Sequence, residues 1–473
     1  MVRKRIRKSV AIISVVTLVV TTIMTGCGKK RKEFKEYGNS STSDAVSVHT
    51  LTDSDIKTTS GGTLIDRLGG EPLQYSGEIT VNGIPVSINV TSKIMETDTL
   101  PIYKVTEITE EDVREEEIVK KIFGNDFRAL DSENDVLKSE NGDSEEMMYL
   151  AMFAMGEDGD PEDPNFETKT WVDSEDYFLH IYEGDIGGAA YQLLISYNRQ
   201  YHEKSFALYP KNWGDVCGNP TLDKICTTSS DGKVWVGSMP VDAPDIPNEC
   251  ELSDEDMIDK VFDFVQENVF VDLPKSDIGF FSSSWYYYED ESEIQKDAKS
   301  EMVFVNDEVL KDANLSGSIR NGYELEYNNT ISNQQIIYST DDIDFSSGMM
   351  HQIGDSGIFM VNDLGVIGIS LSAQYKFDEM LETDVSILKY EDAMKAFCKA
   401  MEENSELSKA IKDEKKYEFK NMKLMYYPIP DGNGTMKMTP VWVGDLERGE
   451  DLVAQGIVSA VDGSYINTIF IQY

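Results

Sequence analysis

Apolar and polar residues alternate through Glu78–Val90 (EITVNGIPVSINV) and break only at Asn82-Gly83, a pair suited to a tight hairpin turn. A third strand is expected at Leu100–Glu107 (LPIYKVTE), and strands resume at DYFLHIY and AAYQLLISYN around the glycine-rich turn Gly184–Gly188. Three segments carry the helical period instead. In TEEDVREEEIVKKIFG, Thr109 and Asp112 form an N-cap pattern, Ile118, Val119, Ile122 and Phe123 make one stripe, and Gly124 ends it. SDEDMIDKVFDFVQEN starts at Ser253 with Met257, Ile258, Val261, Phe262 and Val265 on one face. Tyr390–Met401 repeats that spacing through Ala393, Met394, Phe397, Cys398 and Met401. Near the C-terminus Met422, Leu424 and Tyr426 alternate, TPVWVG gives another strand, and QGIVSAV with SYINTIFIQY closes a hairpin at Asp462-Gly463.

A few one-faced helices among many strands predict an α+β fold of mostly antiparallel sheets, each covered by a few amphipathic helices. The regular strand–helix alternation of a parallel sheet is missing. Residues 131–168 are acidic apart from MMYLAMFAM (Met147–Met155), expected as a short apolar segment between two loops. The body divides by composition into an N-terminal α+β domain over 63–250, a middle α+β region over 251–380 and a C-terminal α+β domain over 381–473.

Ahead of the body the pattern changes. Five basic residues (Arg3, Lys4, Arg5, Arg7, Lys8) precede an apolar run from Val10 to Met24. The run is about 15 residues, short of the roughly 20 a spanning helix needs, and the whole reads as a secretory signal over 1–26. Its exit, Met24-Thr25-Gly26-Cys27, resembles the bacterial lipobox, with Met24 where leucine is usual. The resemblance implies lipidation of Cys27 after cleavage; the alternative is an uncleaved anchor, and both export and tether the chain. Residues 27–62 would be a flexible tether, polar from residue 33 on. Its cations Lys29, Lys30, Arg31, Lys32 and Lys35 lie within reach of anionic headgroups, at about 1 kcal/mol each. The expected location is the extracytoplasmic face of the cell membrane.

Composition narrows the partners. The chain has 43 basic against 86 acidic residues, net −43, and the signal takes five of the basic ones. Nucleic acid is thereby an unsuitable partner, since phosphate binding needs the opposite sign. With 40% hydrophobic residues the chain can still bury a large core. In an exported chain Cys217 and Cys226, flanking the turn-rich CGNPTLDKIC, are permitted to form a disulfide. The spacing to Cys250 fits no structural zinc pattern.

Candidate chemistry is sparse. The four histidines are His49, in the tether, and His180, His202 and His351; His180, within DYFLHIY, reads as a structural or surface residue. HExxH, GxSxG and P-loop signatures are absent from the sequence. Asp158, Asp160, Glu162 and Asp163 crowd one loop, but an EF-hand frame from Asp158 puts Asp163 where glycine belongs and Lys169 where the bidentate acid belongs. No metal, no cofactor and no catalysis are expected. In FFSSSWYYYED, Phe281, Trp285 and Tyr287 share one strand face and are candidate ligand-facing aromatics; a strand packed on both sides is the plainer account.

Three stretches, LIDRLGGEPLQYSGEITVNG, DTLPIYKVTEITEEDVREEEIVKKIFG and GVIGISLSAQYKFDEMLETDVSILKYEDAMKAF, resemble a family of uncharacterised clostridial lipoproteins of unknown function. The resemblance spans most of the body and implies no activity. The last segment, a capped helix followed by PVW and AVDGSYI, is similar to PepSY-like and YycI-like extracytoplasmic modules. YycI-like proteins are accessory regulators of a wall-sensing kinase, held by a transmembrane helix rather than a lipobox. The expected role is non-catalytic binding or regulation at the cell envelope, with an envelope membrane protein as partner. A solute-binding lipoprotein of a transporter is the alternative, and an envelope hydrolase the third reading.

Overall fold

The computed structural model describes residues 58–472 except 60, 93, 139–144, 156–158, 160–164, 220–223, 228–232, 237–238, 243–246, 268–277, 289–318, 320, 338–341, 345–355, 405–406, 412–415, 433–434 and 450. The signal, Cys27 and most of the tether lie outside the described residues, as does the acidic loop at Asp158–Asp163 apart from Gly159. No helix among the described residues is long and apolar enough to cross a membrane.

Strands dominate, in two large sheets whose neighbours are mainly antiparallel. The first runs in the order Asp342–Asp344, Tyr465–Gln472, Asp451–Ser459, Met436–Arg448, Tyr417–Pro430, Ile84–Ser92, Gln74–Val81. Ile102–Glu107 joins it through Met436–Arg448 and carries Tyr375–Glu382 on its far side. Both parallel pairings among the named strands fall in this sheet, Ile84–Ser92 beside Tyr417–Pro430 and Asp342–Asp344 beside Tyr465–Gln472.

Strand pairing therefore crosses the divisions drawn from composition. The hairpin at residues 74–92 lies beside strands more than three hundred residues later, and among the described residues the strands between 127 and 373 that pair in a large sheet belong to the second one, apart from Asp342–Asp344; Ile336 also bridges to Tyr426 in the first. That second sheet includes Tyr177–Ile186, Ala189–Asn198, Glu203–Pro210, Gly365–Ala373, Ser356–Asn362, Tyr323–Ile331 and Ile278–Tyr288 in spatial order. The sheets meet where the chain passes between them: Ile108 N–H donates to Gln374 O at 2.8 Å, and Phe377 packs against both cores.

Six helices concern the argument: α1 (Leu64–Leu68), α2 (Glu115–Phe123), α3 (Glu145–Met155), α4 (Trp213–Cys217), α5 (Asp254–Glu267) and α6 (Tyr390–Glu402). The capping signals hold locally. Thr109 N–H and hydroxyl both donate to Asp112, and Ser253 exchanges hydrogen bonds with Asp256. The helix expected from Thr109 onward is divided, however. Glu110–Val113 is a 3₁₀ turn, Arg114 takes a left-handed φ of 55°, and α2 starts only at Glu115. MMYLAMFAM is helical as α3, and Met147, Met148, Leu150, Ala151 and Met152 are buried. A helix apolar on all sides shows no 3.6-residue stripe, which is why its sequence reads only as apolar.

Two cross-strand glycines position α6. Gly444 and Gly456 are register partners on adjacent strands, and they leave a floor of bare backbone under Phe397 and Met401. A Cβ built on Gly444 would stand 2.5 Å from Phe397 Cζ, and one on Gly456 2.4 Å from Met401 Sδ. Both side chains are fully buried, and Phe397 meets Phe419 edge to face at 5.0 Å. Close approach here is eased by glycine at both positions, most strictly at Gly444 beneath the Phe397 ring.

Candidate functional site

Phe281, Trp285 and Tyr287 lie on the strand Ile278–Tyr288, opposite Glu326, Thr227 and Ile225 respectively. Their side chains are outside the described residues. Cys217 ends α4 with its Sγ buried, 3.7 Å from Gly214 O, and burial pushes the pKa of its thiol form up. The side chain of Cys226, on Lys224–Thr227, is outside the described residues, so its pairing with Cys217 stays an expectation.

The most developed polar cluster involves His180. In DYFLHIY the strand period sets Phe178, His180 and Tyr182 on one face of Tyr177–Ile186. The segment 108–123 lies over that face: Phe123 packs where Gly184 has no Cβ, and Glu115, in the first turn of α2, reaches both polar side chains. Glu115 Oε1 is 2.7 Å from His180 Nδ1 and accepts from the Tyr182 hydroxyl at 2.6 Å. Trp171, on the neighbouring strand directly opposite His180, stacks on the imidazole at 3.7 Å and 13°, with Phe178 4.8 Å away. Burial first, then the bond to Glu115, pushes the Tyr182 phenol far above its ordinary value.

The seam continues along the sheet. Arg199 forks onto Glu110 at 2.7 and 2.9 Å, reaches Asp173 at 3.2 Å and lies 5.8 Å over the Phe178 ring. Tyr197 donates to Ile108 O at 2.8 Å and touches His202 Nδ1 at 3.2 Å, while His202 Nε2 stands 3.5 Å from Glu107. Burial, then the charges of Glu110 and Glu107, push the Tyr197 pKa to about 12.

A neutral His180 bonded to a carboxylate through Nδ1 carries its proton there, which leaves Nε2 as a lone pair. That nitrogen is buried and has no hydrogen-bond partner. A carboxylate–imidazole pair is the orienting half of a general base, but its working nitrogen here faces no donor and no solvent. The arrangement fastens the 108–123 segment to the sheet. Among the described residues no group of three or more His, Cys, Asp or Glu is set to hold a metal ion. Sequence reading placed His180 as structural or surface and gave Glu115 no role. The signal that joins them is the i, i+2, i+4 aromatic–His–aromatic spacing; Trp171 could not be found without the register.

No protein-family model matches the chain, and no curated protein sequence does. Among solved structures the chain is similar to the crystal structure of an uncharacterized protein from Eubacterium rectale ATCC 33656. Identity is 12%, the match covers 83% of this chain and 93% of that one, and the TM-score is 0.34, a level of likeness that carries no functional argument.

Proposed function

We propose that this chain is a lipoprotein of the extracytoplasmic membrane face, anchored at Cys27, whose body binds or regulates an envelope membrane protein without catalysing a reaction. The observation that carries the reading is the order basic residues, short apolar run, Met24-Thr25-Gly26-Cys27, then a basic and polar tether. In this reading the amphipathic helices serve as the covers of the sheets, leaving strand edges and loops to meet the partner. The mainly antiparallel pairing weighs against the alternative, a solute-binding lipoprotein, whose class has lobes built on parallel sheets.

The test has two arms. Metabolic labelling with an alkyne fatty acid should mark the protein and leave Cys27→Ala unmarked and released, or retained as precursor; equal labelling of both sinks the anchor. Crosslinking in intact cells, followed by purification and mass spectrometry, should return one reproducible membrane protein. Return of transporter subunits, with a small solute that raises the melting temperature, would transfer the reading to the solute receptor.

A further inference from the structure

Four large apolar side chains are conspicuously exposed among the described residues: Met95, Leu364, Met380 and Leu381, at 41–74%. Two of them are neighbours on one edge strand of the first sheet. Met380 and Leu381 belong to Tyr375–Glu382, whose residues from Asp378 to Glu382 are all exposed. That strand pairs with Ile102–Glu107 along one edge and, among the described residues, with no strand along the other. The segment 97–100 ties this strand's end to α1: Leu64 N–H donates to Thr97 O, Leu100 N–H to Asp384, and Val385 N–H to Leu100 O. The chain arrives from its N-terminus at the same place. Thr58–Thr59 pairs with Ile387–Leu388, a few residues beyond Glu382 and so within about 20 Å of it.

The chemistry of this edge selects its occupant. A second copy would bring Asp378, Glu379 and Glu382 against the same acids, in a chain of net charge −43. A long partner strand is disfavoured too, because the register breaks twice, at Phe377/Glu379 and Met380/Glu382, and bulged edges resist continuous pairing. A short, flexible, basic segment with apolar side chains fits both the acids and the exposed Met380 and Leu381. The chain carries one: KKRKEFKEY over Lys29–Tyr37. About two dozen residues join Lys35 to Thr58, with a root-mean-square span of about 25–30 Å for a flexible chain. That reach covers the separation from the edge, so the docking is sterically open and its effective concentration is on the order of millimolar.

We propose that the basic stretch Lys29–Tyr37 docks back onto the edge Asp378–Glu382, its cations against Asp378, Glu379 and Glu382 and its aromatic rings against Met380 and Leu381, in competition with anionic lipid headgroups. Docking draws the body down onto its anchor point, and anionic lipid lets it stand off at the reach of the tether. The docking uses the basic stretch alone and is independent of lipidation; the competition with lipid rests on the proposed anchor.

The experiment uses the mature-length chain from residue 27 with Cys27→Ser and p-benzoylphenylalanine in place of Phe34, a photoprobe that reacts readily with methionine. Irradiation at low salt should give an intramolecular crosslink to the peptide containing Met380. Its yield should fall about fivefold or more at roughly 0.5 M salt, and by a similar factor in Asp378→Asn/Glu379→Gln/Glu382→Gln, whose unfolding midpoint should stay unchanged because all three acids are exposed. The yield should also fall on vesicles with about 30% phosphatidylglycerol and hold on neutral phosphatidylcholine. A crosslink between two chains, a crosslink elsewhere on the body, or a yield indifferent to salt and to the triple substitution overturns the docking. Loss of the crosslink on both kinds of vesicle overturns the competition alone.

Discussion

Replacing Gly444 by alanine should destabilise the first sheet more than the same change at Gly456, although the two glycines face each other across one strand pair. An added Cβ at 444 meets Phe397 Cζ at 2.5 Å, Met422 Sδ at 2.7 Å and Phe397 Cε2 at 3.0 Å. The Phe397 ring is fully buried and wedged edge-on against Phe419, so it has nowhere to swing. At 456 the close atoms are Met401 Sδ at 2.4 Å and Cε at 3.1 Å, the far end of an unbranched chain that can change rotamer. Overpacking of a rigid site costs about 1–3 kcal/mol. Loss of glycine's conformational freedom returns about 0.5–1 kcal/mol in either variant. Gly444→Ala should therefore lose up to about 2.5 kcal/mol and Gly456→Ala less than about 1 kcal/mol. Urea unfolding followed by tryptophan fluorescence reads both, since Trp442 lies in the same core. Phe397→Leu in the Gly444→Ala background should recover part of the loss, a coupling of about 1 kcal/mol in a double-mutant cycle. Equal costs at the two glycines, or strict additivity with Phe397→Leu, would refute the steric argument.

Arg67 is fully buried and is held by Asp384 at 2.7 Å and by Val385 O, so Arg67→Ala should cost about 2–3 kcal/mol, less than a wholly buried pair because Asp384 keeps some solvent contact; hydrogen exchange should show α1 and residues 384–388 losing protection first. Glu115→Ala strands the Tyr182 hydroxyl and His180 Nδ1 without their acceptor and should cost about 2–3 kcal/mol, whereas Glu115→Gln keeps an acceptor oxygen and should cost under about 1 kcal/mol; equal costs would mean that the seam does not hold α2. Tyr197 has a folded pKa of about 12 against an ordinary value near 10. Its contribution is thus complete below pH 10 and lost as pH rises through 12, by about 1–3 kcal/mol; ultraviolet titration should show its ionisation delayed beyond that of exposed tyrosines, and Tyr197→Phe should flatten the alkaline limb. Burial pushes the Glu183 carboxyl up, but hydrogen bonds from Lys211 and Arg128 outweigh it and hold the pKa below its usual value. Stability from that group is present above the ordinary carboxylate pKa and fades as pH falls beneath it, so Lys211→Met should make acid unfolding shallower.

Local structure was legible wherever local chemistry decides it. Asn82-Gly83 turns the first hairpin with φ of 54° and 78°, Thr109–Asp112 and Ser253–Asp256 cap as their spacing implies, and the stripe of α6 faces inward. Partnership between distant strands was not legible. Nothing in the alternation of Ile84–Ser92 says that its neighbour is Tyr417–Pro430, because a period of two specifies a face and not a partner. The same limit hid the cluster around His180. The sequence puts Phe178, His180 and Tyr182 on one face, but Trp171 and Glu115 reach them only through the register and the left-handed break at Arg114. Arg67 passed unnoticed because a charged residue after a short apolar pair resembles any solvated helix position until Asp384 is brought beside it.

The pairing of Ile84–Ser92 with Tyr417–Pro430 also sets the order of events when the chain is made. At 5–20 residues per second the early hairpin is synthesised roughly 20–60 s before its parallel neighbour exists. Through that interval its inner face, with Val86, Ile88 and Val90, has no lasting cover. A chain that stops before Tyr417 lacks the strand that pairs with Ile84–Ser92 and cannot complete the first sheet. The late strands are thus what covers the early hairpin's open edge, and the first sheet closes only once they are made.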